Sequence, residues 1–257
     1  RNWRTNIVGQ VLSDDKQFSI SIDPTYDGED VNARGVYYNF LEDTVIKDKE
    51  FAFNTAYAAT FTSEDNSLLT FNNVEFSGKV QYIAFGEYRN SGKYIEFRNE
   101  LNNVVAKDMV ITHSIGIVNV ETIDYMAPLI FLRGESVLNN CEFTGSTCIA
   151  PARTDYNGTV HEVLPYDCGV PNFCTATFDN CKVGSLYTWS HSKVTINNSE
   201  IDYIRCSTHK KASKTSHLTI GPGTVVNEIV ATSSGSAKVV TVNGKKTLTA
   251  APWSPCI

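Results

Sequence analysis

Ala176-Thr177-Phe178-Asp179-Asn180-Cys181-Lys182-Val183 is followed eighteen residues later by Val194-Thr195-Ile196-Asn197-Asn198-Ser199-Glu200-Ile201. The same pattern stands upstream as Leu69-Thr70-Phe71-Asn72-Asn73-Val74-Glu75-Phe76 and as Ser136-Val137-Leu138-Asn139-Asn140-Cys141-Glu142-Phe143. Looser copies are Leu218-Thr219-Ile220-Gly221-Pro222-Gly223 and Val239-Val240-Thr241-Val242-Asn243-Gly244, and Val105–Ile111 reads as a degenerate member. The second-position Thr falls at 177, 195, 219 and 241, in steps of 18, 24 and 22. A strand-like unit at this period marks a solenoid, in which one unit cannot bury its apolar stripe without its neighbours.

Each unit has a physical logic. Phe71, Leu138, Phe178 and Ile196 are expected to point inward from a short strand. The Asn-Asn pair then turns the backbone, since Asn tolerates the left-handed conformation and bonds to nearby backbone. Stacked turn amides can ladder from coil to coil. Val74, Cys141, Cys181 and Ser199 are expected to fill a narrow inner corner. A second strand follows, as Val183-x-x-Leu186, Ile201-x-x-Ile204 and Val226-x-x-Ile229. Its backbone groups must pair with the equivalent strand of the next unit, which makes the arrangement parallel.

Composition agrees with this all-β reading. The 257 residues include 22 Asn and 25 Thr, poor helix formers, and only 19% charged residues. Apolar content of 42% argues against disorder, and a net charge of −6 argues against nucleic-acid binding by net charge. No apolar run is long enough for a membrane span. The chain starts at Arg1 and stops at Cys256-Ile257 after a strand-like run, so it is expected to be part of a longer polypeptide. Residues 1–60 read as an irregular N-terminal β segment, with Thr44-Val45-Ile46 and Phe51-Ala52-Phe53 as candidate first coils. Residues 61–257 read as the solenoid, interrupted by a loop insertion at about 147–174.

From residue 65 onward the repeat resembles the right-handed parallel β-helix of pectate-lyase-like proteins. A leucine-rich repeat has a similar period, but its L-x-x-L-x-L-x-x-N signature is absent. The Asn-Asn-Cys-Glu-Phe coils and the phrase Leu218-Thr219-Ile220-Gly221-Pro222-Gly223-Thr224-Val225-Val226 are further similar to tail-associated β-helix proteins of bacteriophages of gut Bacteroidetes. That resemblance implies a virion or extracellular tail fibre or tailspike. Such a part is often a homotrimer, contacts other virion subunits and adheres to a cell-surface polysaccharide.

Seven cysteines, an odd number, make a poor disulfide framework. Cys141 and Cys181 share a repeat position and read as small buried groups, whereas Cys168 and Cys174 flank a loop and remain candidates for a pair. Two glycosylation sequons, at Asn157 and Asn197, carry little weight.

Two clusters are candidate sites. The insertion holds Asp155, His161, Glu162 and Asp167, whose carboxylates and imidazole suit acid–base work if they converge. The alternative is a solvated loop over the solenoid's flank. Tyr187, Trp189, His191, Tyr203 and Arg205, with His209 nearby, form the second cluster. Tyr187-Thr188-Trp189 and Tyr203-Ile204-Arg205 are expected at similar places in adjacent coils. Facing outward, their rings would stack on the C–H faces of sugars; facing inward, they would cap the core. The recurring Glu75, Glu142, Lys182 and Glu200 read as one solvent-facing column. No EF-hand, P-loop, H-E-x-x-H, G-x-S-x-G or dinucleotide fingerprint occurs, so neither metal nor cofactor is expected. The expected role is non-catalytic adhesion to a glycan. The competing roles are a polysaccharide lyase or hydrolase on the same scaffold, and a purely structural spacer.

Overall fold

The computed structural model describes residues 35–63, 67–86, 97–111, 115–118, 123–126, 128–149, 152–154, 160–162, 174–188, 192–208, 216–233, 239–242 and 245–247. Among these residues there is no helix. An 18-stranded sheet, almost wholly parallel, curls around a single core, and four further strands form a separate sheet.

Three parallel ladders make up the large sheet. In the first, Ile46, Phe71, Leu101, Leu138, Phe178, Ile196, Ile220 and Val242 share one register position, coil upon coil. Phe71, Leu101, Leu138, Phe178 and Ile196 are fully buried, as an inward file requires. Thr177, Thr195, Thr219 and Thr241 also align one above another, so the period read from the sequence is the period of the stack. The second ladder carries Phe51, Phe76, Ala106, Phe143, Val183, Ile201 and Val226 in register. The third carries Val36, Ala59, Ile83, Ile130, Thr147, Leu186, Ile204 and Ile229.

The corner between the first two ladders explains the Asn-Asn signature. The second residue of each pair is left-handed: Asn73, Asn103, Asn140, Asn180 and Asn198 have φ of 49–54°, and Asp48 has the same conformation at 52°. Asn pays less than other non-glycine residues for this region, because its short amide can bond locally. The amides also bond along the stack. Asn102 Nδ2 donates to Asn72 Oδ1 at 2.9 Å, and Asn139 Nδ2 to Asn102 Oδ1 at 2.8 Å. At the turn position Asn73 donates to Asp48, Asn103 to Asn73 and Asn180 to Asn140. Val74, Val104, Cys141, Cys181 and Ser199 fill the inner corner and are all buried.

The repeat differs from the expected one in one place. The copy after Leu69–Phe76 is Asn99–Ala106, paired residue for residue with it, and not Val105–Ile111. Asn99 is buried at the inward position that Leu69, Ser136 and Ala176 take in other coils, which breaks the apolar pattern. Upstream, Thr44–Asn54 pairs in register with Leu69–Lys79.

The core changes character along the axis. In the first coils it is aromatic: Phe61 lies 4.6 Å from the Tyr38 ring, 5.2 Å from Phe51, 5.3 Å from Phe71 and 5.6 Å from Phe85, centroid to centroid. Further along, Val183, Leu186, Val194, Ile196, Ile201 and Ile204 replace the rings. At another corner, Thr188, Ser192, Cys206 and Ser216 form a fully buried polar knot, with the Ser216 hydroxyl 2.9 Å from Thr188 Oγ1 and 3.2 Å from both Ser192 Oγ and Cys206 Sγ. Such groups tolerate burial only because they satisfy one another.

Candidate functional site

The coils at 182–188 and 200–206 present the described half of the aromatic cluster. Leu186 and Ile204 are fully buried, so by strand alternation their neighbours Ser185, Tyr187, Tyr203 and Arg205 project from the opposite face. Tyr187 and Tyr203 are half-buried, and their ring centroids are 6.0 Å apart at an interplanar angle of 57°. Two tilted rings in contact on the outside of the sheet form a short amphipathic strip.

The register differs from the expected alignment of Tyr187-Thr188-Trp189 with Tyr203-Ile204-Arg205. Tyr187 stands opposite Arg205, and Tyr203 opposite Ser185. The two tyrosines are therefore diagonal neighbours, which is still within reach of aromatic side chains. Arg205, in register with Tyr187 on the same face, is covered and only 2% exposed. The following coil places Glu228 opposite Tyr203 and Val230 opposite Arg205. Glu228 is exposed. Sequence reading missed Ser185 and Glu228 as members of this patch, although the offset of one coil on either side of Tyr203 would have pointed to them. Trp189, His191 and His209 lie outside the described residues.

The acid–base candidates are only partly placed. The insertion contributes Ala152–Thr154 and Val160–Glu162, an antiparallel pair that sets Arg153 opposite His161. Val160 and His161 then pair with Ile117 and Val118 of an earlier excursion, which builds the small second sheet. His161 and Glu162 thus sit consecutively on one strand of that sheet. Asp155, Asp167 and Cys168 lie outside the described residues. Cys174 is fully buried, and its sulfur accepts a hydrogen bond from the Gly134 N–H at 3.4 Å.

A second surface feature runs along the Asn corner. A shallow groove is lined by Asn140, Asn180 and Asn198 and by the charged file Glu142, Lys182 and Glu200. Lys182 sits between the two glutamates in register, and Lys107 forms an ion pair with Glu142. Beneath it, Cys141 and Cys181 donate to the Leu101 and Leu138 carbonyls at 3.3 and 3.4 Å. The hydrogen bond with Cys181, and then burial, push the Cys141 thiol well above its ordinary pKa, so it stays protonated.

Among the described residues no group of three or more His, Cys, Asp or Glu side chains is placed to hold a metal ion, and no helix is long and apolar enough to cross a membrane. Comparison of the chain with protein-family models, with curated proteins and with solved structures gives no significant match.

Proposed function

We propose that the curled parallel sheet is a right-handed parallel β-helix that serves as a non-catalytic virion or extracellular protein of the tail-fibre or tailspike kind. In this reading it binds a cell-surface glycan through the face that carries Tyr187 and Tyr203. The observation that supports it is the pair of outward, half-buried rings in contact at 6.0 Å on a regular ladder. Strand pairing fixes the spacing of the rings before any ligand arrives, so little ordering entropy is lost on binding. The stack itself supplies rigidity and reach, and assembly with further copies of the chain or with other virion subunits is part of the same reading.

The test is to incubate the purified chain with polysaccharides, uronic-acid polymers included, and to follow binding and polymer length in the same samples. The proposal expects retention on a glycan with no shortening of the chain. Shortening, with or without unsaturated products, would replace it by a depolymerase on the same scaffold.

A further inference from the structure

We infer that the tyrosine patch selects neutral glycans over acidic ones, and that Glu228 is its specificity-determining side chain. This rests on the glycan-binding reading above.

The inference follows from where the charges lie. Ser185, Tyr203 and Glu228 form one outward column across three successive coils. In a parallel stack the members of such a column are about 4.8 Å apart along the axis, so Glu228 and Tyr203 are in-register neighbours on one face. A carboxylate beside an aromatic platform accepts hydrogen bonds from sugar hydroxyls while the ring covers a C–H face. An arginine offered to the ligand would favour carboxylated or sulfated sugars through paired, charge-assisted bonds. Arg205 has the right chemistry but is covered, being 2% exposed. Of the described charged side chains on the coils at 182–188, 200–206 and 225–230, the exposed ones are Glu200, Asp202 and Glu228 against Lys182. Among these described residues the balance is negative, in the same sense as the net charge of −6 for the whole chain. At physiological salt a charge acts over roughly 8 Å, so a uronic-acid unit seated beside Glu228 would be repelled.

Affinity electrophoresis of the full chain tests this, in gels carrying mannan, xylan or starch as neutral polymers and polygalacturonate as the acidic one. The expected result is retardation by at least one neutral polymer and none by polygalacturonate. Tyr187→Ala and Tyr203→Ala should each weaken that retardation by about tenfold. Glu228→Lys should weaken binding to the neutral polymer and create retardation by polygalacturonate. Stronger retardation of the unaltered chain by polygalacturonate would overturn the inference and leave the glycan-binding reading standing. Retardation by none of the four polymers would overturn that reading itself. Neutral-polymer binding that survives Glu228→Lys unchanged would remove Glu228 from the site.

Discussion

Asn180 shows how much one residue does in this molecule. Its backbone is left-handed at φ 52°, and its amide donates to Asn140 at 2.6 Å. Asn180→Gly keeps the backbone conformation and loses only the exposed amide bond, so it should cost about 0.5 kcal/mol in urea unfolding. Asn180→Ala loses both and should cost about 1–2 kcal/mol. An Ala variant no worse than the Gly variant would mean that the conformation is not what selects Asn. One residue also sets an alkaline limit. Burial raises the pKa of Tyr38. A raised pKa means that the folded chain holds a proton which the unfolded chain releases, so this contribution is complete below about pH 10 and is lost as pH rises beyond it. Unfolding midpoints should decrease as pH rises from about 9 to 11, and Tyr38→Phe should flatten the slope. The turn residues were legible because the left-handed conformation restricts the choice to very few side chains. The tyrosine register was not, because a ladder can slide by two residues without changing which side chains face out.

At the scale of the element, the two strands around the Asn corner could be read directly, and the third ladder only in its later coils, at Leu186, Ile204 and Ile229. The first has an alternating pattern anchored by a fixed turn. The third has no recurring turn residue, its register shifts between Pro128 and Ile130 and again between Phe143 and Ser146, and the segments leading to it vary in length. The Asn99–Ala106 copy carried a readable signal in Leu101-Asn102-Asn103-Val104, obscured by a polar Asn99 at an inward place. A cross-linking experiment tests the stacking. Thr177→Cys with Thr195→Cys joins neighbouring strands about 4.8 Å apart, within disulfide reach, whereas Thr177→Cys with Thr219→Cys spans about twice that. Only the first pair should oxidise to a bridge. Close packing between strands is equally strict at Gly78, where φ is +88° and an added Cβ would stand 2.2 Å from the Phe53 carbonyl oxygen. Gly78→Ala should therefore cost more than about 2 kcal/mol, since the backbone strain and the clash act together.

For the whole molecule, stability is spread along the stack, because each coil contacts only its neighbours. The aromatic end is the most tightly knit part described, and Phe61, fully buried among five rings, is its centre. Phe61→Ala should cost about 3–5 kcal/mol, while an outward change at Tyr187 should leave the unfolding midpoint nearly unmoved. That contrast separates scaffold from surface. It also shows why function was less legible than fold: the scaffold repeats, so its pattern can be counted, whereas the patch occurs once and depends on which outward residues the register brings together. The most direct test of the central claim is a glycan array probed with the unaltered chain and with the Tyr187→Ala, Tyr203→Ala double variant, the two matched for unfolding midpoint. The expected result is binding by the unaltered chain to a restricted set of glycans and its loss in the folded double variant. Equal binding by both, or binding by neither, would contradict it.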